Sequence, residues 1–107
     1  MIPKEQKELF RKRVGKILEQ RRMENAYLAR TGQTTNMIFR GIAGTNIDVF
    51  TIGFHKDLQA FAADSPASSE EREAAAKAAG FKNRADISFY LRSLLSGHHD
   101  TLAVKVD

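Results

Sequence analysis

The sequence predicts an all-α fold of four to five helices, followed by a helical hairpin and a short possible strand. Three observations lead there. Apolar residues recur at steps of three and four along much of the chain, Ser68 and Glu71 stand in a capping-box pattern, and glycines sit where helices should stop. At 107 residues the chain suffices for one compact domain, or one domain with a small appendage.

The first helix is expected over Lys4–Met23. Phe10, Val14, Ile17, Leu18 and Arg21 form its stripe, with Pro3 suited to the start. A second runs Glu24–Thr31, turns Leu28 and Ala29 inward and ends at Gly32. Thr34 or Thr35 caps a third through Phe39 to Ala43, with Ile38, Phe39 and Ile42 as its apolar positions. Gly41 weakens that helix and Gly44 stops it. Asn46 or Asp48 caps a fourth, in which Phe50, Phe54, Leu58 and Phe61 recur at four, four and three. The rival reading there is a strand over Val49–Phe54, because VFTIGF is rich in β-formers; continuation of the stripe to Phe61 favours helix. DSPASS, residues 64–69, reads as a linker between residues 1–63 and a second unit at 70–107. Ser68 and Glu71 open a helix to about Ala79 that Gly80 closes, and Asn83 caps a last helix through Leu95. Ile87, Tyr90, Leu91 and Leu94 form its stripe. The tail alternates at Leu102, Val104 and Val106, as a strand would, and must pair with another copy, pair with VFTIGF or stay loose.

Charge is distributed unevenly. Residues 1–40 hold ten Lys or Arg against four Glu, and residues 41–107 hold seven against nine Asp or Glu, so +6 and −2 make the net +4. A basic half is the expected footprint of a polyanion binder. With no cysteine, a disulfide scaffold, a thiolate metal site and a thiol nucleophile are excluded, and a cytoplasmic location is expected. The opening MIPKEQKELFRKR does not read as a secretory signal, and no apolar run approaches a membrane span. His98, His99 and Asp100 lack further ligand spacing, so neither a metal nor a cofactor is expected. Glu70, Glu71 and Glu73 suit a helix start rather than acid–base work, and no enzymatic constellation emerges.

Four short helices with a glycine-containing turn between the second and third are what a helix-turn-helix DNA reader needs. The start of the third helix supplies Gln33, Thr34, Thr35 and Asn36, with Arg40 one turn on. Asn and Gln pair with adenine, Arg with guanine, and a Thr methyl meets the thymine methyl. Through FRKRVGKILEQRRM, MENAYLA and GQTTNMIFRGIAG, the chain resembles the Cro/repressor-like (Xre-type) helix-turn-helix family over about residues 10–62. The resemblance implies base contacts from Gln33, Thr34, Thr35, Asn36, Met37 and Arg40, and phosphate contacts from Thr45 and Asn46. Ala29 stands three residues before Gly32 where the family usually has four, which leaves either Ile38 or Phe39 facing the core. AAAKAAGFKNRADISFYLRSLLSG is similar to the second reading unit of AraC-type activators and to the helical pair of ribbon-helix-helix proteins; a plain dimerising hairpin explains the same residues.

The expected function is therefore a homodimeric, sequence-specific transcriptional regulator on a palindromic DNA operator, of a phage or plasmid kind. Arg11, Lys12, Arg13, Lys16 and Arg30 are its candidate phosphate contacts. Ile87, Tyr90, Leu91, Leu94, Leu102 and Val104 are its candidate dimer interface. Two rivals stand beside it: a helical adaptor that binds a regulatory protein, and a non-specific nucleic-acid binder that uses the basic first helix alone.

Overall fold

The computed structural model describes residues 3–42, 48–95, 97–98, 100 and 102–103. Within them the fold is mixed and mainly helical, which corrects the all-α expectation. The order is α1 (Lys4–Arg30), β1 (Met37–Arg40), β2 (Val49–Ile52), α2 (Leu58–Ala62), α3 (Ser69–Ala78) and α4 (Asp86–Leu94).

The expected first and second helices are one helix of 27 residues. Between Met23 and Glu24 there is no Pro, Gly or capping residue to stop the run. The junction is also bridged: Arg21 Nη2 lies 2.7 Å from Glu24 Oε2, and Gln20 Nε2 donates to Glu24 Oε1 at 3.3 Å. The helix stops at Gly32, where φ is +72°. Gln33 N–H donates to Leu28 C=O and Gly32 N–H to Ala29 C=O, the paired bonds of a Schellman cap. A Cβ at Gly32 would stand 2.9 Å from Pro66 Cγ, so glycine is required there on two counts.

No recognition helix follows. Met37–Arg40 pairs antiparallel with Val49–Ile52, in the register Met37↔Ile52, Ile38↔Thr51, Phe39↔Phe50 and Arg40↔Val49. Gly41 N–H extends the ladder to Asp48 C=O at 2.9 Å. The β-branched and aromatic residues of MIFR and VFTI favour a pleated pair over a helix that must absorb Gly41. The helical recurrence of Phe50, Phe54 and Phe61 is thus shared among β2, the following loop and α2. Asp57 caps α2 by accepting from Ala60 N–H at 2.8 Å.

The capping box at Ser68 and Glu71 forms as expected, and Gly80 ends α3 at φ +107° with a second Schellman pair. Asn83 Oδ1 accepts from Asp86 N–H at 2.9 Å and so opens α4. Tyr27 of α1, Ala75 and Ala76 of α3, Phe81 and Ile87 of α4 form the core, with Met23, Leu28, Ala79 and Tyr90 against it. One core therefore spans both expected units. Residues 64–69 are not a free linker: Ser65 Oγ donates to Thr31 C=O at 2.6 Å, and Arg72 donates to Ala67 C=O and Ser65 C=O at 3.0 and 3.1 Å.

Candidate nucleic-acid interface

The charge asymmetry resolves into one element. α1 carries nine Lys or Arg against four Glu, and spans about 40 Å at 1.5 Å per residue. Its buried residues Val14, Ile17, Gln20 and Tyr27 define the core-facing stripe. On the opposite side, spacings of seven and eleven residues bring Lys4, Arg11 and Arg22 onto one line, while Lys12 and Arg30, eighteen apart, form a neighbouring line. All five are exposed. Lys16 is exposed on the flank of the core stripe, Arg13 is exposed in line with that stripe just before its first buried residue, and Lys7 lies beside the first line. Gly15 lies between the lines, with nothing within 4 Å of where a Cβ would stand. Glu8 and Glu19 also lie between them and subtract from the field.

Little of this positive charge is neutralised within the chain. Among the described residues the one salt bridge is Arg21–Glu24, at 2.7 Å. All residues from Lys4 to Arg13 are exposed, so the first turns of α1 project beyond the packed body.

The base-reading set expected over residues 33–40 is not gathered on one face. Gln33 is half-buried just past α1, where its Oε1 accepts the Thr31 hydroxyl at 2.9 Å. Asn36 is clamped through its backbone: Asn25 Nδ2 donates to its C=O at 2.7 Å, and Asn25 Oδ1 accepts its N–H at 2.8 Å. Thr34 and Thr35 are exposed in the connector. Met37 and Arg40 are three positions apart on a strand, so they lie on opposite faces of the hairpin. Thr45, Asn46 and Val104 fall outside the described residues.

The expected dimer stripe on the last helix is corrected as well. Ile87 belongs to the chain's own core, Tyr90 packs against it, and Leu91 and Leu94 are half-buried. Ile87 and Tyr90 are thereby committed within the chain. Among the described members of that set Leu102 alone is well exposed, at 64%.

Other residues proved more informative than their spacing implied. Gln20 is fully buried, and its Nε2 donates to Ile87 C=O at 3.0 Å, fastening α4 to α1; its Oε1 has no hydrogen-bond partner among the described residues. Lys4, Lys7 and Arg22 join the basic face, a placement that the seven- and eleven-residue spacing carries once α1 is a single helix. A shallow cleft of about 300 Å³ lies between α1 and the loops that follow it, lined by Glu24, Gln33, Asn36, His55, Phe61 and Asp64. Among the described residues no three His, Asp or Glu side chains converge as a metal site, and no helix is long and apolar enough to cross a membrane. Comparison with known protein families, with curated proteins and with solved structures finds no match.

Proposed function

We propose that this chain binds double-stranded DNA through the solvent face of α1. The observation that carries the reading is the set of five exposed cations, Lys4, Arg11, Lys12, Arg22 and Arg30, along one side of a helix whose other side is committed to the core from Val14 onward. Phosphates of a duplex recur closely enough to meet such rows, and an α-helix fits the major groove. The net negative charge of residues 41–107 turns the molecule's field so that α1 leads toward a polyanion.

The test is fluorescence anisotropy of a labelled random-sequence duplex between about 50 and 200 mM salt. Five contacts give a slope near −4.5 in log affinity against log salt, or a loss of about 500-fold over that range. Absence of binding at the low-salt end would refute the proposal. A sequence-specific homodimeric regulator is the second reading, favoured by exposed Thr34, Thr35 and Arg40, which make no side-chain hydrogen bond among the described residues. Enrichment of a palindrome from a random pool would support it, and binding without enrichment would leave the backbone-gripping mode.

A further inference from the structure

Among the described residues, the hairpin presents an apolar face that stays exposed. Met37 and Phe39 of β1 lie on the same side as Phe50 and Ile52 of β2, as the register requires, and exposed Phe54 follows two residues on in the loop after β2. Their exposures are 48, 37, 40, 38 and 67%. The Phe39 and Phe50 rings stack at 5.0 Å with 11° between their planes, so the centre of the face is a flat aromatic pair. None of the five side chains is charged or polar. A two-stranded hairpin alone is marginal in water and needs such a face covered.

The molecule as a whole has surface to spare. Its accessible surface is 8593 Å², against about 6,000 Å² for a folded monomer of this mass. Its radius of gyration is 15.8 Å where about 13 Å is usual for this length, and it is only 17 Å thick. The excess, about 2,600 Å², compares with the largest obligate homodimer interfaces, about 5,000 Å² counted over both protomers, and the exposed first turns of α1 contribute to it.

We infer that the hairpin face, centred on Phe39 and Phe50, is the contact of a homodimer, with a second copy of this chain as its occupant. The five side chains expose roughly 450 Å², at about 200 Å² for a whole large side chain. Two copies would bury roughly 900 Å² from these residues, most of the about 1,200 Å² at which specific interfaces begin. The remainder would have to come from the hairpin backbone and its flanks. A uniformly apolar, uncharged face is complementary to itself about a two-fold axis, whereas a differently charged partner would find no charge here to match. The solvent face of α1 has no residue in this contact, so the inference stands independently of DNA binding.

Sedimentation equilibrium of the full chain from about 1 to 100 μM, without DNA, tests it. The wild type should run at twice its 12.0 kDa. Phe39→Glu and Phe39→Lys should each raise the dissociation constant by about 100-fold or more, the cost of desolvating unpaired like charges. Mixing those two variants should restore the dimer, because each charge then faces its opposite. Phe89→Glu, at a residue 66% exposed on α4, should leave the dimer intact. A wild type that stays monomeric throughout, including one that instead binds lipid vesicles, would overturn the inference. So would a dimer indifferent to Phe39→Glu, or a mixture that stays monomeric. If Phe39→Glu loses its far-UV helix signal, Met37→Glu and Met37→Lys carry the same comparison.

Discussion

Two glycines of α1 and its cap make opposite predictions for the same substitution. Gly15 sits in mid-helix on the solvent side with open space around it, so alanine there removes a backbone-entropy cost of about 1 kcal/mol and introduces no clash. Gly32 holds φ at +72°, which costs an L-residue about 1–2 kcal/mol. Its new Cβ would also press on Pro66 at 2.9 Å; ring atoms have little room to yield, which adds about 1 kcal/mol or more. Gly15→Ala should therefore stabilise by about 1 kcal/mol and Gly32→Ala destabilise by about 2–4 kcal/mol. At about 5 °C per kcal/mol for a chain of this size, the melting temperatures should differ by about 15–25 °C. Circular dichroism at 222 nm through a thermal ramp, supported by urea titration, reads both. A neutral Gly32→Ala, or a destabilising Gly15→Ala, would refute a single helix running from Lys4 to a left-handed stop at Gly32.

Three further outcomes follow from named contacts. Replacing Arg11 and Lys12 together by Gln should shrink the salt slope of DNA binding from about −4.5 to about −2.7, so the loss between 50 and 200 mM falls from about 500-fold to about 40-fold; the far-UV spectrum should not change. Gln20→Ala should cost about 2–4 kcal/mol by urea denaturation, because it opens a cavity at a fully buried position and removes the hydrogen bond to Ile87 C=O. Ser68→Ala should cost about 1 kcal/mol, since it breaks the capping box of α3; an unchanged denaturation midpoint would place the start of that helix elsewhere.

What the sequence disclosed were the features with local causes. The capping box at Ser68, the stops at Gly32 and Gly80 and the Asn83 cap each depend on residues within a turn of one another, and each forms where the pattern puts it. The hairpin depends instead on the pairing of two four-residue segments that stand eight residues apart in the chain, and neither declares its partner. MIFR has its apolar Ile38 and Phe39 adjacent, a spacing compatible with either period, and the later Phe recurrence at four, four and three happened to mimic a helix. The same misreading put Phe50 on a helical stripe and made Phe39 one of two candidates for the core, where large aromatics usually lie, although the molecule leaves both on its surface. On the candidate site, the charge count pointed to the forty residues that carry most of the proposed face. It could not arrange them, because the rows of Lys4, Arg11 and Arg22 and of Lys12 and Arg30 exist only when α1 continues unbroken past Met23.

The central claim is that DNA is held by the solvent face of α1. Its most direct test is a backbone-amide NMR titration of the labelled chain with a short duplex at low salt. The account predicts shift changes concentrated along α1 from Lys4 through Lys16, at Arg22 and at Arg30, with the α3–α4 amides still. Changes centred on Gln33 to Arg40, with α1 unmoved, would contradict it.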